Sequence, residues 1–177
     1  VEQAREQARG PDLDYLFAPL KHARLDYVAQ KAVEMGASRI APVITRRTQT
    51  NRVNLDRLRA NAVEAAEQCG IVSLPVISPE EPFSRALERL EPERLLVFCD
   101  EDAPVADPVA ALSASGNRPA KLAVVVGPEG GFAEEERAQL LARENTLRLS
   151  LGPRVLRADT AAVAALALVQ AVLGDWS

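Results

Sequence analysis

Residues 121–132 read KLAVVVGPEGGF, a short apolar run that breaks into Gly127-Pro128-Glu129-Gly130-Gly131 and then meets Glu134, Glu135 and Glu136. A compact β-branched run bounded by turn formers predicts a buried strand, and the acidic cluster after it predicts the first turn of a helix. Glycine-rich turns at the carboxyl ends of strands are where open α/β sheets take up ligands, because residues without a Cβ let a ligand approach the main chain. A tight turn that merely needs positive φ would look the same, and the pattern alone leaves both readings open.

Downstream the motif repeats in a second form. Residues 146–149 predict another strand, and residues 149–160, LSLGPRVLRADT, again leave a strand to enter a helix. Arg154 and Arg157 stand three apart in an otherwise apolar stretch, where a charge is costly without a partner. Either Asp159 or Glu129 holds them, or they face a substrate. The helix predicted over 159–173 is apolar almost all round and too short to span a bilayer, so protein must cover it, as core or as a dimer interface.

Upstream, strands are predicted at 14–18, 39–44 and 94–99, with helices over 21–35, 54–70, 79–90 and 107–114 and a surface loop at 113–119. In the first helix Leu25, Val28, Ala32 and Met35 share a face and Gly36 follows as a left-handed cap. In the second, Asn54 is the cap, Leu55, Leu58, Ala62, Ala65 and Cys69 form the buried stripe, and Gly70 ends it. Strands alternating with amphipathic helices predict an α/β fold with an open, mostly parallel sheet flanked by helices.

Composition narrows the function. The 177 residues are 47% hydrophobic and 26% charged, which suits one globular domain. No long uncharged apolar stretch and no export signal are present, so neither a membrane nor secretion is expected, and the expected address is cytoplasmic. Cys69 and Cys99 lack neighbouring ligands, so no metal is expected and both thiols are expected in the core. His22 is the lone histidine and is expected on the surface, which removes Ser-His-Asp and Cys-His chemistry. The net charge is −4, yet Arg39, Arg46, Arg47, Arg52, Arg57 and Arg59 face only Asp56 in their segment, which spacing alone reads equally as a local basic patch for nucleic acid or as a solvated arginine-rich loop and helix face.

The ligand follows by exclusion. The turn is neither GxGxxG nor GxxxxGK[ST], and Glu129 with the three following glutamates would oppose a phosphate at that helix start. A sulfonium-bearing ligand such as S-adenosylmethionine suits such a cradle better.

VGPEGGF at 126–132 and LGPRVLRADTA at 151–161, in this order and at this spacing, resemble the RsmE family of SPOUT-class methyltransferases. KHARLDYVAQKAVEMGASRI at 21–40 and EAAEQCG at 64–70 are similar to further family segments. The chain departs from the pattern at Ile71-Val72-Ser73, at Thr45-Arg46-Arg47-Thr48 and in lacking an early tryptophan, all on the expected RNA side. The resemblance implies a SPOUT domain over residues 13–177 with a C-terminal trefoil knot, and a linker over 1–12 from a PUA-like RNA-binding domain. It also implies a homodimer that methylates N3 of a uridine in 16S ribosomal RNA, or in the assembled small subunit. S-adenosyl-L-methionine would be held by Val126, Gly127, Glu129, Gly130, Gly131, Leu149, Leu151, Gly152, Val155, Leu156 and Thr160, with Arg154 and Arg157 catalytic. RNA would meet Lys21, Arg24, Lys31, Arg46, Arg47 and Gln68. The alternatives are a related enzyme acting on transfer RNA or another rRNA position, and a non-catalytic RNA-binding module.

Overall fold

A computed structural model describes residues 10–50, 52–116 and 118–176. Most of the expected linker, and the side chain of His22, lie outside the described residues. Strands β1 (Asp12–Phe17), β2 (Arg39–Ile44), β3 (Val76–Ile77), β4 (Glu81–Pro82), β5 (Leu95–Cys99), β6 (Lys121–Val126) and β7 (Thr146–Leu149) alternate with helices along most of the chain. The helices are α1 (His22–Glu34), α2 (Leu55–Cys69), α3 (Phe83–Arg89), α4 (Pro108–Ser113), α5 (Glu134–Ala142) and α6 (Ala158–Val172).

The strands lie in the order β3-β2-β1-β6-β5-β7, with β4 beside β2, and every pairing is parallel. The expected open parallel α/β sheet is therefore present. Parallel strands carry helices on both faces and are apolar on both. Accordingly Leu122, Val124 and Val126 join one core with Leu13, Tyr15 and Phe17, while Ala123 and Val125 join another with Leu16, Phe83 and Leu140. At the amino edge of the strands Arg94, 4% exposed, binds Asp12, Glu91 and the Leu122 carbonyl, with Asp14 at 3.5 Å. This ion cluster fastens the edge opposite the glycine turns.

Helix signals translate directly. Asn54 Oδ1 accepts from the Arg57 N–H at 3.0 Å, and Gly70 closes α2 at φ 64°. Gly36 takes φ 78°, and a Cβ there would lie 2.5 Å from Gln170 Nε2, which donates to the Met35 carbonyl. Helix α6 buries Ala161, Ala162, Ala165, Leu166, Val169 and Gln170, whereas Val163, Ala164, Ala167 and Leu168 are half-buried, so the core covers one face.

Several boundaries need correction. β1 starts at Asp12 because β6 offers Lys121 as its partner there. The helix expected over 79–90 starts only at Phe83, since Glu81 and Pro82 pair with Val43 and Ile44 as β4. Cys69 is exposed, not buried: burial on α2 stops at Ala66, and Ile71 beyond the Gly70 turn packs on the core instead. Cys99 is half-buried, and burial pushes its thiol up to about 12, with the charge of Asp100 adding to the shift.

Candidate active site

All strands being parallel, the two expected turns emerge at one edge of the sheet, from β6 and β7, with the end of β5 between them. In the first turn the Gly131 N–H donates to the Pro128 carbonyl at 2.8 Å, and Gly131 has φ 70°. Gly127 answers a close approach: a Cβ there would sit 2.8 Å from the Phe132 ring, itself packed on Phe83 and edge-on to Phe98. Gly130 is different, because a Cβ would meet only Arg47 carbons at 3.5 Å and beyond. Its bareness serves nothing inside the fold.

The start of α5 is held from two sides. Glu136 accepts from the Ala133 N–H at 2.9 Å and from the Arg46 N–H at 2.7 Å. Exposed Glu135 pairs with Arg46 at 3.2 Å, and its carboxyl is held below the usual range, first by its own N–H and then by Arg46. Glu134, Glu135 and Glu136 all occupy the first turn of α5, which leaves this helix start unsuited to a phosphate.

In the second turn the Gly152 N–H donates to Ser150 Oγ at 3.3 Å, and Gly152 has φ 97° with open space where a side chain would stand. Leu151 and Leu156 pack against the core, whereas Val155 is 79% exposed. Arg154 and Arg157 are exposed, and among the described residues neither forms an ion pair. The two carboxylates considered for them are engaged elsewhere: Arg24 bonds to Glu129 and stands 3.9 Å from Asp159. Both arginines therefore face outward beside the turn. Thr160 is exposed on the first turn of α6.

The basic candidates divide into two groups. Lys21, Arg24 and Arg47, with Gln49, Thr50, Pro128 and Glu129, line a cleft of about 330 Å3 on the outer side of the first glycine turn. Arg47 Nη1 donates to the Gly130 carbonyl at 2.7 Å, so the cleft and the turn share a wall. Arg46 is not in the cleft lining and turns instead to Glu135 at the start of α5. Lys31 lies seven residues beyond Arg24, roughly 10 Å along the helix, and pairs with Glu34 at 2.8 Å. Gln68 lies at the far end of α2. The structure thus separates Lys31 and Gln68 from the cleft.

Sequence reasoning did not reach Gln49, Thr50 or Asp100. Only the sheet order, which inserts β5 between β6 and β7, brings Asp100 next to both turns, and no local pattern signals that insertion.

An open parallel sheet with two bare turns on either side of the β5 end, each feeding a helix, is the frame of the SPOUT-type methyltransferases, whose solved structures this chain resembles. The RNA methyltransferase domain family matches residues 7–170, and the chain belongs to that family. The resemblance carried by the two turns is borne out at this level. The Rickettsia conorii ribosomal RNA small subunit methyltransferase E is 31% identical, over 96% of this chain and 68% of its own length. The Bacillus subtilis protein of the same name is 30% identical, over 96% and 70%. The crystal structure of the Neisseria gonorrhoeae ribosomal RNA small subunit methyltransferase E bound to S-adenosyl methionine superimposes with a TM-score of 0.83 at 28% identity, covering 94% of this chain and 68% of that one.

Proposed function

We propose that the chain transfers a methyl group from S-adenosylmethionine to N3 of a uridine in 16S ribosomal RNA, as a cytoplasmic homodimer whose C-terminal segment forms a trefoil knot. The observation that carries this reading is the pair of open turns on either side of the β5 end, with Arg154 and Arg157 without an ion-pair partner among the described residues. Relatives named as small-subunit rRNA methyltransferases, one bound to this donor, support the substrate and the donor alike.

The residues present fit that donor. Gly130, Gly131 and Gly152 are bare and exposed, and Leu151, Val155 and Leu156 offer apolar surface beside them. Acidic residues crowd the first turn, which favours a positively charged sulfonium over a phosphate. When bound, the donor supplies an electrophilic methyl group. Gly127 and Glu129 would complete the walls and Thr160 would close the side at the start of α6, while Val126 and Leu149, buried in the core, would support the two turns from beneath.

What remains for the chain is to prepare the acceptor. The neutral imide nitrogen of uracil has no free lone pair, so its proton must leave and the charge spreads to O2 and O4. Guanidinium groups fixed near those oxygens stabilise that charge as it develops. Arg154 and Arg157 are suited to this and cannot act as the base. The proton goes to water or to a carboxylate such as Glu129. Lys21, Arg24 and Arg47 hold RNA phosphates at the cleft, Arg46 meets the RNA strand beside it, and Lys31 with Gln68 meet a more distant part of the RNA. The half-covered face of α6, Val163, Ala164, Ala167 and Leu168, is the surface on which a second copy would pack.

The test uses labelled donor and small-subunit RNA lacking the modification, followed by mapping of the labelled nucleotide. Label on N3 of one uridine is the expected result. Label on a ribose 2′ oxygen, or on transfer RNA alone, would overturn the assignment of substrate. A thermal shift on adding the donor separates an enzyme from an RNA-binding module without the pocket, which would show none.

A further inference from the structure

Asp100 follows β5, and its carboxylate is withdrawn from solvent, with the side chain only 4% exposed. Guanidinium groups from two separate elements converge on it. Arg137 of α5 donates through Nη2 to both carboxylate oxygens at 3.0 and 2.9 Å, and Arg148 of β7 donates through Nε to Oδ2 at 2.6 Å. The Asp102 N–H donates to Oδ1 at 3.2 Å, while the second arm of Arg148 donates to the Asp102 carbonyl. Main-chain bonds extend the clasp: the Asp100 N–H donates to the Leu149 carbonyl at 2.9 Å, and the Ala103 N–H donates to the Asp100 carbonyl at 3.2 Å.

Buried ion pairs contribute little net stability on average, because the desolvation of both charges offsets their attraction; what such a pair does supply is fixed geometry. At the opposite edge of the sheet the Arg94 cluster already joins the strand bodies. The Asp100 clasp instead joins three segments that surround the candidate site. They are the turn 100–103, the helix α5 that continues from the first glycine turn, and the strand β7 that leads into the second. Removing one carboxylate loosens the side-chain hold on α5 and β7 together, leaving only the main-chain bonds and the Arg148 bond to the Asp102 carbonyl.

We propose that Asp100 is a positioning residue that sets the separation of the turns 127–131 and 149–157, and through that separation the affinity for the methyl donor. This rests on the reading of those turns as the donor site.

The test is calorimetric titration of the chain with S-adenosylmethionine. If the unaltered chain takes up no donor, the proposed function fails, and Asp100 is not what that result reports on. Given binding by the unaltered chain, Asp100→Asn is expected to raise the donor Kd at least tenfold. With RNA present, the donor KM rises while the RNA KM stays unchanged. A merely structural role would lower the active fraction, reducing kcat and leaving both KM values alone, and that pattern would overturn the proposal. So would a folded Asp100→Asn protein whose donor Kd lies within twofold of the original. Should Asp100→Asn fail to fold, Arg148→Gln leaves Asp100 paired with Arg137 and isolates the β7 arm. It is expected to weaken donor binding at least threefold, and unchanged affinity in that variant would equally overturn the proposal.

Discussion

At the scale of single residues, the glycines of the first turn perform two different tasks. A methyl group on Gly127 would press within 2.8 Å of the Phe132 ring, which Phe83 and Phe98 hold in place, so neither side has room to yield. Gly127→Ala is therefore expected to lose about 1–3 kcal/mol of stability, as overpacked sites do, read from the urea midpoint. Gly130 has room for a side chain on the protein side, its nearest neighbour being an Arg47 carbon at 3.5 Å. Gly130→Val should leave the urea midpoint almost unmoved and abolish donor binding by calorimetry. Retained affinity would remove this turn from the site. Arg154 is exposed with no ion-pair partner among the described residues, so its loss disturbs nothing in the fold. Arg154→Ala is expected to lower methyl transfer at least tenfold with donor affinity and melting temperature little changed. Equal loss of donor affinity would make it a donor-binding residue instead.

At the scale of elements, the parts that were legible are those whose local chemistry and long-range setting agree. Asn54, the α2 stripe and Gly70 all state one helix, and it forms between the same limits. Asn54→Ala should weaken the protein by about 1 kcal/mol in chemical denaturation, since one end donor loses its acceptor. β2, β6 and β7 also fall where their apolar runs place them. What stayed hidden depends on partners distant in sequence. β3 and β4 are two residues each and exist only because β2 offers its edge to both. Arg94 reads as the first residue of a strand, yet it ties Asp12, Glu91 and the Leu122 carbonyl together and shares the buried Asp14 with Arg39. Arg94→Leu leaves Asp14 to Arg39 alone and takes the donor from the buried Leu122 carbonyl, and should destabilise by roughly 1–3 kcal/mol in urea unfolding. In the candidate site the two turns were legible because glycine at a strand end has a direct meaning. Whether Glu129 and Asp159 would hold Arg154 and Arg157 was not, since Arg24 arrives from α1 to claim them.

At the scale of the whole molecule, charge is distributed unevenly: a chain of net charge −4 places Lys21, Arg24 and Arg47 around one cleft at the edge that carries the turns. Ion pairs on the acid side and buried acids on the alkaline side make stability depend on pH from both directions. On the acid side Glu91 is held well below the carboxylate range, chiefly by its hydrogen bond with Arg94, and Glu93 is lowered by Lys121. A carboxyl that releases its proton more readily when folded adds stability above its unfolded pKa near 4.3, and that stability is lost as pH falls through the folded value. On the alkaline side burial raises the Cys99 thiol to about 12 and raises the Tyr15 phenol as well. The unfolded thiol ionises near 8.5 while the folded one stays protonated, so stability is full below about 8.5 and declines as pH climbs toward the folded value. Urea midpoints should accordingly form a plateau between about pH 5 and 8, falling on either side. Cys99→Ala ought to flatten the first part of the alkaline decline, from about 8.5, whereas Cys69→Ala, at an exposed position, ought to leave the whole profile in place. An alkaline slope unchanged by Cys99→Ala would show that the buried thiol is not its source.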